Sequence, residues 1–190
     1  MPHAVDRSVM EAAFGPDVLV TLDEDTVSGV PHAATRAFLV DVGLPDETDK
    51  WFELDEGFSE GDVRLGEIYP EVGAHYGNLP EGGLDWISLG AIPYDDIAVD
   101  HTTGTVWCLP DGSSEIYPLN KDIHSFAAFL CALERERPNY DLAVAGGIAD
   151  PEAAAARLAE EFTRLDPTSV DRPEGTWQRV LGYVREAIPE

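Results

Sequence analysis

Histidines and carboxylates are the residues of this sequence best suited to metal or acid–base chemistry. His101 follows Asp100, and His124 lies two residues after Asp122, so a strand and a helix that packed closely would bring imidazole and carboxylate ligands together. None of the five histidines has the HxxxH or HExxH spacing of a metal-binding helix. A strand end and the first turn of a helix are also ordinary places for exposed polar residues. We predict no bound metal, and a metal-dependent hydrolase is kept as a third alternative.

Other catalytic patterns are missing from the sequence. There is no GxSxG motif, and Gly146 and Gly147 lack the third glycine and the Lys-Ser/Thr pair of a phosphate-binding loop. Cys108 and Cys131 lie in apolar segments without metal-ligand spacing, which is typical of buried reduced thiols. In a chain with 37 Asp and Glu residues, carboxylate pairs arise without selection for a glycosidase. We predict a protein that is not an enzyme and needs no cofactor.

The elements that must position these residues begin with a helix and continue with a sheet. Helical spacing over Pro31 to Pro45 ends at Gly43, a residue suited to the positive φ of a helix end. Short segments rich in β-branched and aromatic residues predict strands at Val18 to Leu22, Lys50 to Leu54, Trp86 to Ile92, Ile97 to His101, Thr105 to Leu109 and Glu115 to Leu119. The last four predict an antiparallel meander.

Between Asp55 and Gly83 the sequence predicts irregular connection, with Val63 to Tyr69 as a candidate strand. Helices follow the meander. They are predicted from an N-cap at Asn120 to about Arg137, from Pro151 and from Thr176. This order predicts an α+β fold, a central antiparallel β-sheet with helices packed against it and C-terminal helices. We expect residues 1–190 to form a single domain, with 150–190 as a C-terminal helical extension packed on it.

Charge limits the kinds of partner. The chain has 37 acidic residues against 12 Lys and Arg, a net charge of −25 and a pI near 4.2. Such a charge repels phosphate backbones and anionic lipid, so we expect no direct nucleic-acid or membrane binding. The charge favours a basic partner, but it is also explained by solubility alone or by a salt-rich habitat. Residues 1–25 show no basic start followed by an apolar stretch, and no apolar segment approaches the ~20 residues of a membrane helix. We therefore expect a cytoplasmic protein.

A series of short motifs has a definite order along the chain. The motifs are Phe38 to Pro45, Leu89 and Gly90, Ile97 to Asp100, Thr103 to Val106, Leu119 and Asn120 before Ile123 and Phe126, and Leu165 to Pro167 before Trp177. In that order they resemble the SUKH superfamily, and within it the fourth SUKH subgroup, over about Glu11 to Ile188. This superfamily includes immunity proteins of bacterial polymorphic toxin systems. The resemblance implies a non-enzymatic immunity protein that binds a cognate secreted toxin, often a nuclease or nucleic-acid deaminase, and occludes its active site.

On this hypothesis an acidic surface with exposed aromatics contacts the toxin. The candidate residues beside the sheet and in the long connection are Tyr94, Asp95, Asp96, Asp100, Glu56, Glu60 and Asp62. Acidic residues are attracted to the basic groove of a toxin that acts on nucleic acid, and a buried aromatic centre supplies lasting affinity. For each acid the alternative interpretation is a solvated loop residue. A regulatory or scaffold protein of the same fold, bound to an endogenous partner, is the alternative function.

Overall fold

The architecture is seen in a computed structural model that describes residues 5–48, 50–61, 63–144 and 149–187. Within these ranges the strands are β1 (Leu19–Val20), β2 (Leu44–Pro45), β3 (Glu53–Leu54), β4 (Ile87–Ile92), β5 (Asp95–Val99), β6 (Val106–Leu109) and β7 (Tyr117–Asn120). The helices are α1 (Arg7–Phe14), α2 (Ala33–Ala37), α3 (Glu56–Glu60), α4 (Leu65–Ile68), α5 (Val72–His75), α6 (Ile123–Glu136), α7 (Pro151–Leu165) and α8 (Thr176–Glu186). Strands β3 to β7 form one antiparallel sheet in chain order, and β1 pairs with β2. The predicted α+β fold is confirmed.

The helix predicted between Pro31 and Pro45 is present, but its second half is wider than an α-helix. Helix α2 continues as a π-helix over Phe38–Val42, and the N–H of Gly43 donates to the carbonyl of Phe38 at 2.9 Å. Gly43 has a φ of 81°, and a Cβ atom there would overlap the carbonyl of Val20 in β1. Glycine at this position therefore both ends the helix and allows β2 to pair with β1.

The long helices α6, α7 and α8 cover one face of the sheet. The rings of Phe129 and Phe162 stack with centroids 3.8 Å apart, and Trp177 lies edge-on to both. Ile97 in β5 belongs to this core. Because successive residues of a strand point to opposite faces, Ala98 belongs to a second apolar cluster on the other face.

Helix α6 begins later than predicted because its expected N-cap has another role. Asp122 caps the helix by accepting the N–H of Ser125 at 2.7 Å. Asn120 instead ends β7, where its side-chain oxygen accepts from the indole of Trp177 at 3.0 Å and its NH2 group donates to Asp166 at 3.3 Å. Residues of the motif series thus form a buried polar link between the sheet and the C-terminal helices.

The connection between Asp55 and Gly83 contains the short helices α3, α4 and α5. Helix α4 occupies most of Val63 to Tyr69, so the strand predicted there is wrong. Leu65 and Val72 bury their side chains in the second apolar cluster, under the sheet. Helices of four or five residues are too short to show helical periodicity, and they depend on such packing for their stability.

Candidate partner-binding site

Three of the candidate residues lie where strands β4 and β5 join. Ile92 pairs with Asp95 in the antiparallel register, so Pro93 and Tyr94 form a two-residue turn. Tyr94 is 81% exposed and has a φ of 69°. The turn therefore places the tyrosine ring in solvent at the tip of the hairpin.

Asp95 lies inside the protein, which corrects the expectation that it is a surface acid. It is 1% exposed, and its carboxylate accepts hydrogen bonds from the Thr176 hydroxyl at 2.6 Å and the Asp111 N–H at 3.2 Å. The same carboxylate forms an ion pair with Arg179. Strand β5 begins two residues earlier than predicted, so alternation places Asp95 on the face of the buried Ile97. Asp95 therefore anchors the hairpin to α8.

Thr176 extends this anchor to a buried tyrosine and a buried thiol. Its hydroxyl lies 2.8 Å from the Tyr117 hydroxyl and 3.3 Å from the Cys108 sulfur. Burial raises the pKa of Tyr117 to about 12 and the pKa of Cys108 to about 11. The Cys108 thiol is therefore protonated at neutral pH. This is typical of a buried structural cysteine, whereas an activated nucleophile would be a thiolate.

A cleft of about 810 Å³ opens on the other face of the hairpin. We call it the acidic cleft, and its lining is Glu53, Leu54, Asp55, Glu56, Gly57, Glu67, Ile68, Tyr69, Gly90, Ala91 and Asp96. Among these described lining residues there is no Lys, Arg or His. The cleft therefore carries negative charge that no neighbouring side chain in its lining neutralises.

The carboxylates of the acidic cleft act on one another. Burial, with the nearby charges of Asp55 and Asp111, raises the pKa of Asp96. Burial, with the charges of Asp96 and Asp55, raises the pKa of Tyr69 to about 12. Both shifts mark a place where a further negative charge is costly and where a cation from another molecule would relieve the repulsion.

The walls of the acidic cleft are fixed by contacts with the backbone and the sheet. Asp55 caps α3 by accepting the N–H of Gly57 at 2.9 Å, and it also accepts the Ser88 hydroxyl at 3.0 Å. Gly90 in β4 has a φ of 141°, and a Cβ atom there would overlap the carbonyl of Glu53 in β3. Glycine is therefore required for the close approach of β3 and β4 that places Glu53 at the cleft.

The acidic cleft brings two of the predicted site residues together. Glu56 on α3 and Asp96 on β5 both line it, and Tyr94 lies at the tip of the hairpin that contains Asp96. Glu60, at the far end of α3, is exposed but does not line the cleft. Asp62 lies outside the described residues.

Asp100 and His124, two of the residues considered for a metal site, have other partners. The carboxylate of Asp100 closes the turn after β5 by accepting the Thr103 hydroxyl at 2.7 Å and the Thr102 N–H at 2.8 Å. The Nδ1 atom of His124 lies 3.0 Å from the carbonyl of Val5. Within the described ranges, no group of three or more His, Cys, Asp or Glu is placed to hold a metal ion.

The sequence did not single out Glu53, Asp55, Glu67 or Tyr69 as site residues. They reach Asp96 through the pairing of β3 with β4 and through the packing of α4 on the sheet. Pairing between strands so far apart in the chain leaves no local signal. A periodic pattern in the 55–83 connection would have been the available clue, and its helices are too short to provide one.

Comparison with known proteins yields one match. The SUKH-4 immunity protein family matches residues 5–183, from before α1 into α8, which confirms the resemblance found in the short motifs. No curated protein and no solved structure matches the chain. In the part of the chain that the structure describes, no helix is long and apolar enough to cross a membrane.

Proposed function

The chain belongs to the SUKH-4 immunity protein family, and we propose that it binds a cognate secreted toxin in the cytoplasm and occludes the toxin's active site. The toxin we infer is a nuclease or a nucleic-acid deaminase, whose substrate groove is basic. The observation that carries this proposal is the acidic cleft, whose described lining contains carboxylates and no cationic side chain. Uncompensated negative charge on a shaped surface suits a basic partner.

The charge of the whole chain supports the same kind of partner. A net charge of −25 attracts a basic groove over a distance and accelerates association. The same charge repels nucleic acid, so the protein would have little affinity for the toxin's own substrate. An inhibitor with these properties binds the toxin without being held on nucleic acid.

The residues proposed to form the contact include those of the acidic cleft and the hairpin tip. We propose Tyr94, Asp96, Asp100, Glu56, Glu60 and Asp62 as the surface that faces the toxin. Asp95 contributes from inside, because its ion pair with Arg179 holds the hairpin against α8. Asp100 contributes charge while its oxygens hold the turn after β5.

The purified toxin domain encoded beside this gene tests the proposal. We expect a one-to-one complex by calorimetry, with toxin activity falling linearly to zero at one equivalent of this protein. The stoichiometric end point separates inhibition by binding from enzymatic inactivation, which would need less than one equivalent. Absence of a complex at both low and moderate salt would overturn the proposal, and a gene with no toxin beside it would favour the regulatory alternative.

A matched pair of variants tests the part played by the acidic cleft. Glu56→Gln with Asp96→Asn removes two charges from the cleft, and Glu152→Gln with Glu160→Gln removes two from the exposed face of α7. We expect the cleft variant to associate about three to ten times more slowly at low salt and the α7 variant to change little, because steering depends on charge near the interface. Equal changes in both would show that only total charge matters.

A further inference from the structure

Exposed aromatic rings lie on the surface between the tip of the β4–β5 hairpin and helix α8. Tyr94 is 81% and Tyr183 48% exposed, and both line a shallow groove of about 40 Å³ between the turn and the helix. The ring of Trp51 stacks on Tyr183 with centroids 6.3 Å apart, and its indole N–H donates to the Tyr140 hydroxyl at 2.9 Å. We call Trp51, Tyr94 and Tyr183 the aromatic ridge.

The turn after Pro93 requires a positive φ at Tyr94, but it does not require a tyrosine there. The φ of 69° at Tyr94 lies in the left-handed region, which bulky residues rarely adopt. Pro93 at the preceding turn position is typical of a turn whose next residue is Gly or Asn. Because the ring is 81% exposed, its packing does not offset the strain. Strain of this kind is concentrated at sites of binding and catalysis.

An ion pair between the buried Asp95 and the partly exposed Arg179 joins the two elements that carry the tyrosines of the ridge. Asp95, next to Tyr94, accepts the Thr176 hydroxyl at 2.6 Å and pairs with Arg179. Both partners belong to α8, the helix that carries Tyr183. The hairpin tip and the helix are therefore joined before a partner arrives. Aromatic side chains that are already ordered lose little entropy on binding and often dominate the affinity of an interface.

The aromatic ridge and the acidic cleft lie on opposite faces of the β4–β5 hairpin, near its tip. Ile92 lines the groove of the ridge, whereas its neighbour Ala91 lines the acidic cleft opposite Asp96. One hairpin thus carries an apolar surface on one side and a strongly negative one on the other. Both are matched by a partner with an apolar patch bordered by Lys or Arg side chains.

We propose that the aromatic ridge is the centre of the interface with the toxin, which meets it with an apolar patch whose bordering Lys or Arg side chains enter the acidic cleft. This proposal rests on the proposed function and adds which surface holds the complex together. The ridge sets the lifetime of the complex, and the acidic cleft sets the rate of association. Asp95 is a positioning residue that acts through Tyr94.

Binding kinetics with the purified toxin domain encoded beside this gene separate these roles. We expect Tyr94→Ala and Tyr183→Ala each to raise the dissociation rate by about tenfold or more, with an association rate within about twofold of the wild type. Val9→Ala is the matched control, because it removes an apolar side chain that is 43% exposed on α1, outside the ridge. It is expected to change neither rate by more than about twofold.

A second variant at the same position distinguishes lost contact from misfolding. Glycine adopts a φ of 69° without strain, so Tyr94→Gly should raise the thermal midpoint of the free protein by about 2–4 °C. The same variant should dissociate from the toxin as fast as Tyr94→Ala does. A protein that is more stable and binds more weakly has lost a contact rather than its fold.

The two proposals fail in different ways. If the wild type forms no complex with the toxin domain, the proposed function falls and the ridge proposal falls with it. If the wild type binds and both tyrosine variants dissociate within twofold of its rate, the proposed function stands and the ridge proposal is overturned.

Discussion

Asp95 and Asp96 are neighbours in the chain, yet they lie on opposite faces of β5 in opposite surroundings. Asp95 is buried, paired with Arg179 and hydrogen-bonded to Thr176. Asp96 is half-buried in the acidic cleft, where burial and the charges of Asp55 and Asp111 raise its pKa. In this acidic protein, the buried carboxylate that stabilises the fold is paired with a cationic side chain of the same chain. The carboxylates of the proposed binding surface have no such cation in the described lining of the cleft.

The ion pairs around α6 follow the same division. Lys50 lies 2.6 Å from Glu134, and Arg157 lies 2.6 Å from Glu136. The first pair joins α6 to the segment before β3, and the second joins α6 to α7. The described lining of the acidic cleft has no such partner. The chain has only 12 Lys and Arg residues, and those of these two pairs lie away from the acidic cleft.

The largest expected effect is the difference in the free energy of unfolding between Asp95→Ala and Asp96→Ala. Asp95→Ala should lower the free energy of unfolding by about 3 kcal/mol, because the buried Thr176 hydroxyl loses its acceptor and Arg179 loses its carboxylate. Asp96→Ala should change it by no more than about 0.5 kcal/mol. Urea denaturation of both variants measures the difference. Similar losses in the two would contradict the division between the faces of β5.

A smaller effect is expected within the buried anchor itself. Thr176→Val keeps the shape of the side chain but removes the hydroxyl shared by Asp95 and Tyr117, and should lower the free energy of unfolding by about 1–2 kcal/mol. Thr163→Val makes the same change on the exposed face of α7 and should cost less than about 0.5 kcal/mol. Equal costs in urea denaturation would show that the anchor adds nothing beyond an ordinary surface hydroxyl.

The sequence is sufficient to predict the elements whose signals are local, which are the strands of the meander and two of the helix ends. The β-branched and aromatic content of β4 to β7, the stop at Gly43 and the helix start at Pro151 each depend on neighbours in the chain, and the structure has all of them. The motif series also contains Asn120, Asp166 and Trp177, which form the buried polar link between the sheet and the C-terminal helices. These elements are local or repeat a short pattern, so a single sequence carries enough information for them.

The candidate site was harder to predict because it depends on register and on distant pairing. A shift of two residues in the start of β5 moved Asp95 from an expected surface position to the core. The acidic cleft forms only when β3 pairs with β4 and α4 packs on the sheet, so Glu53 and Glu67 meet Asp96 through tertiary structure alone. Tyr94 lies between two predicted strands, and its exposure depends on a turn, which is local.

The smallest expected effect concerns the pH dependence of Asp96. Because the folded protein holds the pKa of Asp96 above its unfolded value, the charged carboxylate destabilises the fold at pH values above the folded pKa, and this cost disappears below the unfolded pKa. Asp96→Asn should therefore raise the free energy of unfolding at pH 7.5 by roughly 0.5 kcal/mol or less, after solvent screening. At pH 3 the variant and the wild type should unfold at the same urea concentration. A variant that is less stable than the wild type at pH 7.5 would mean that Asp96 is compensated, as Asp95 is, and that the acidic cleft has no excess charge for a partner to neutralise.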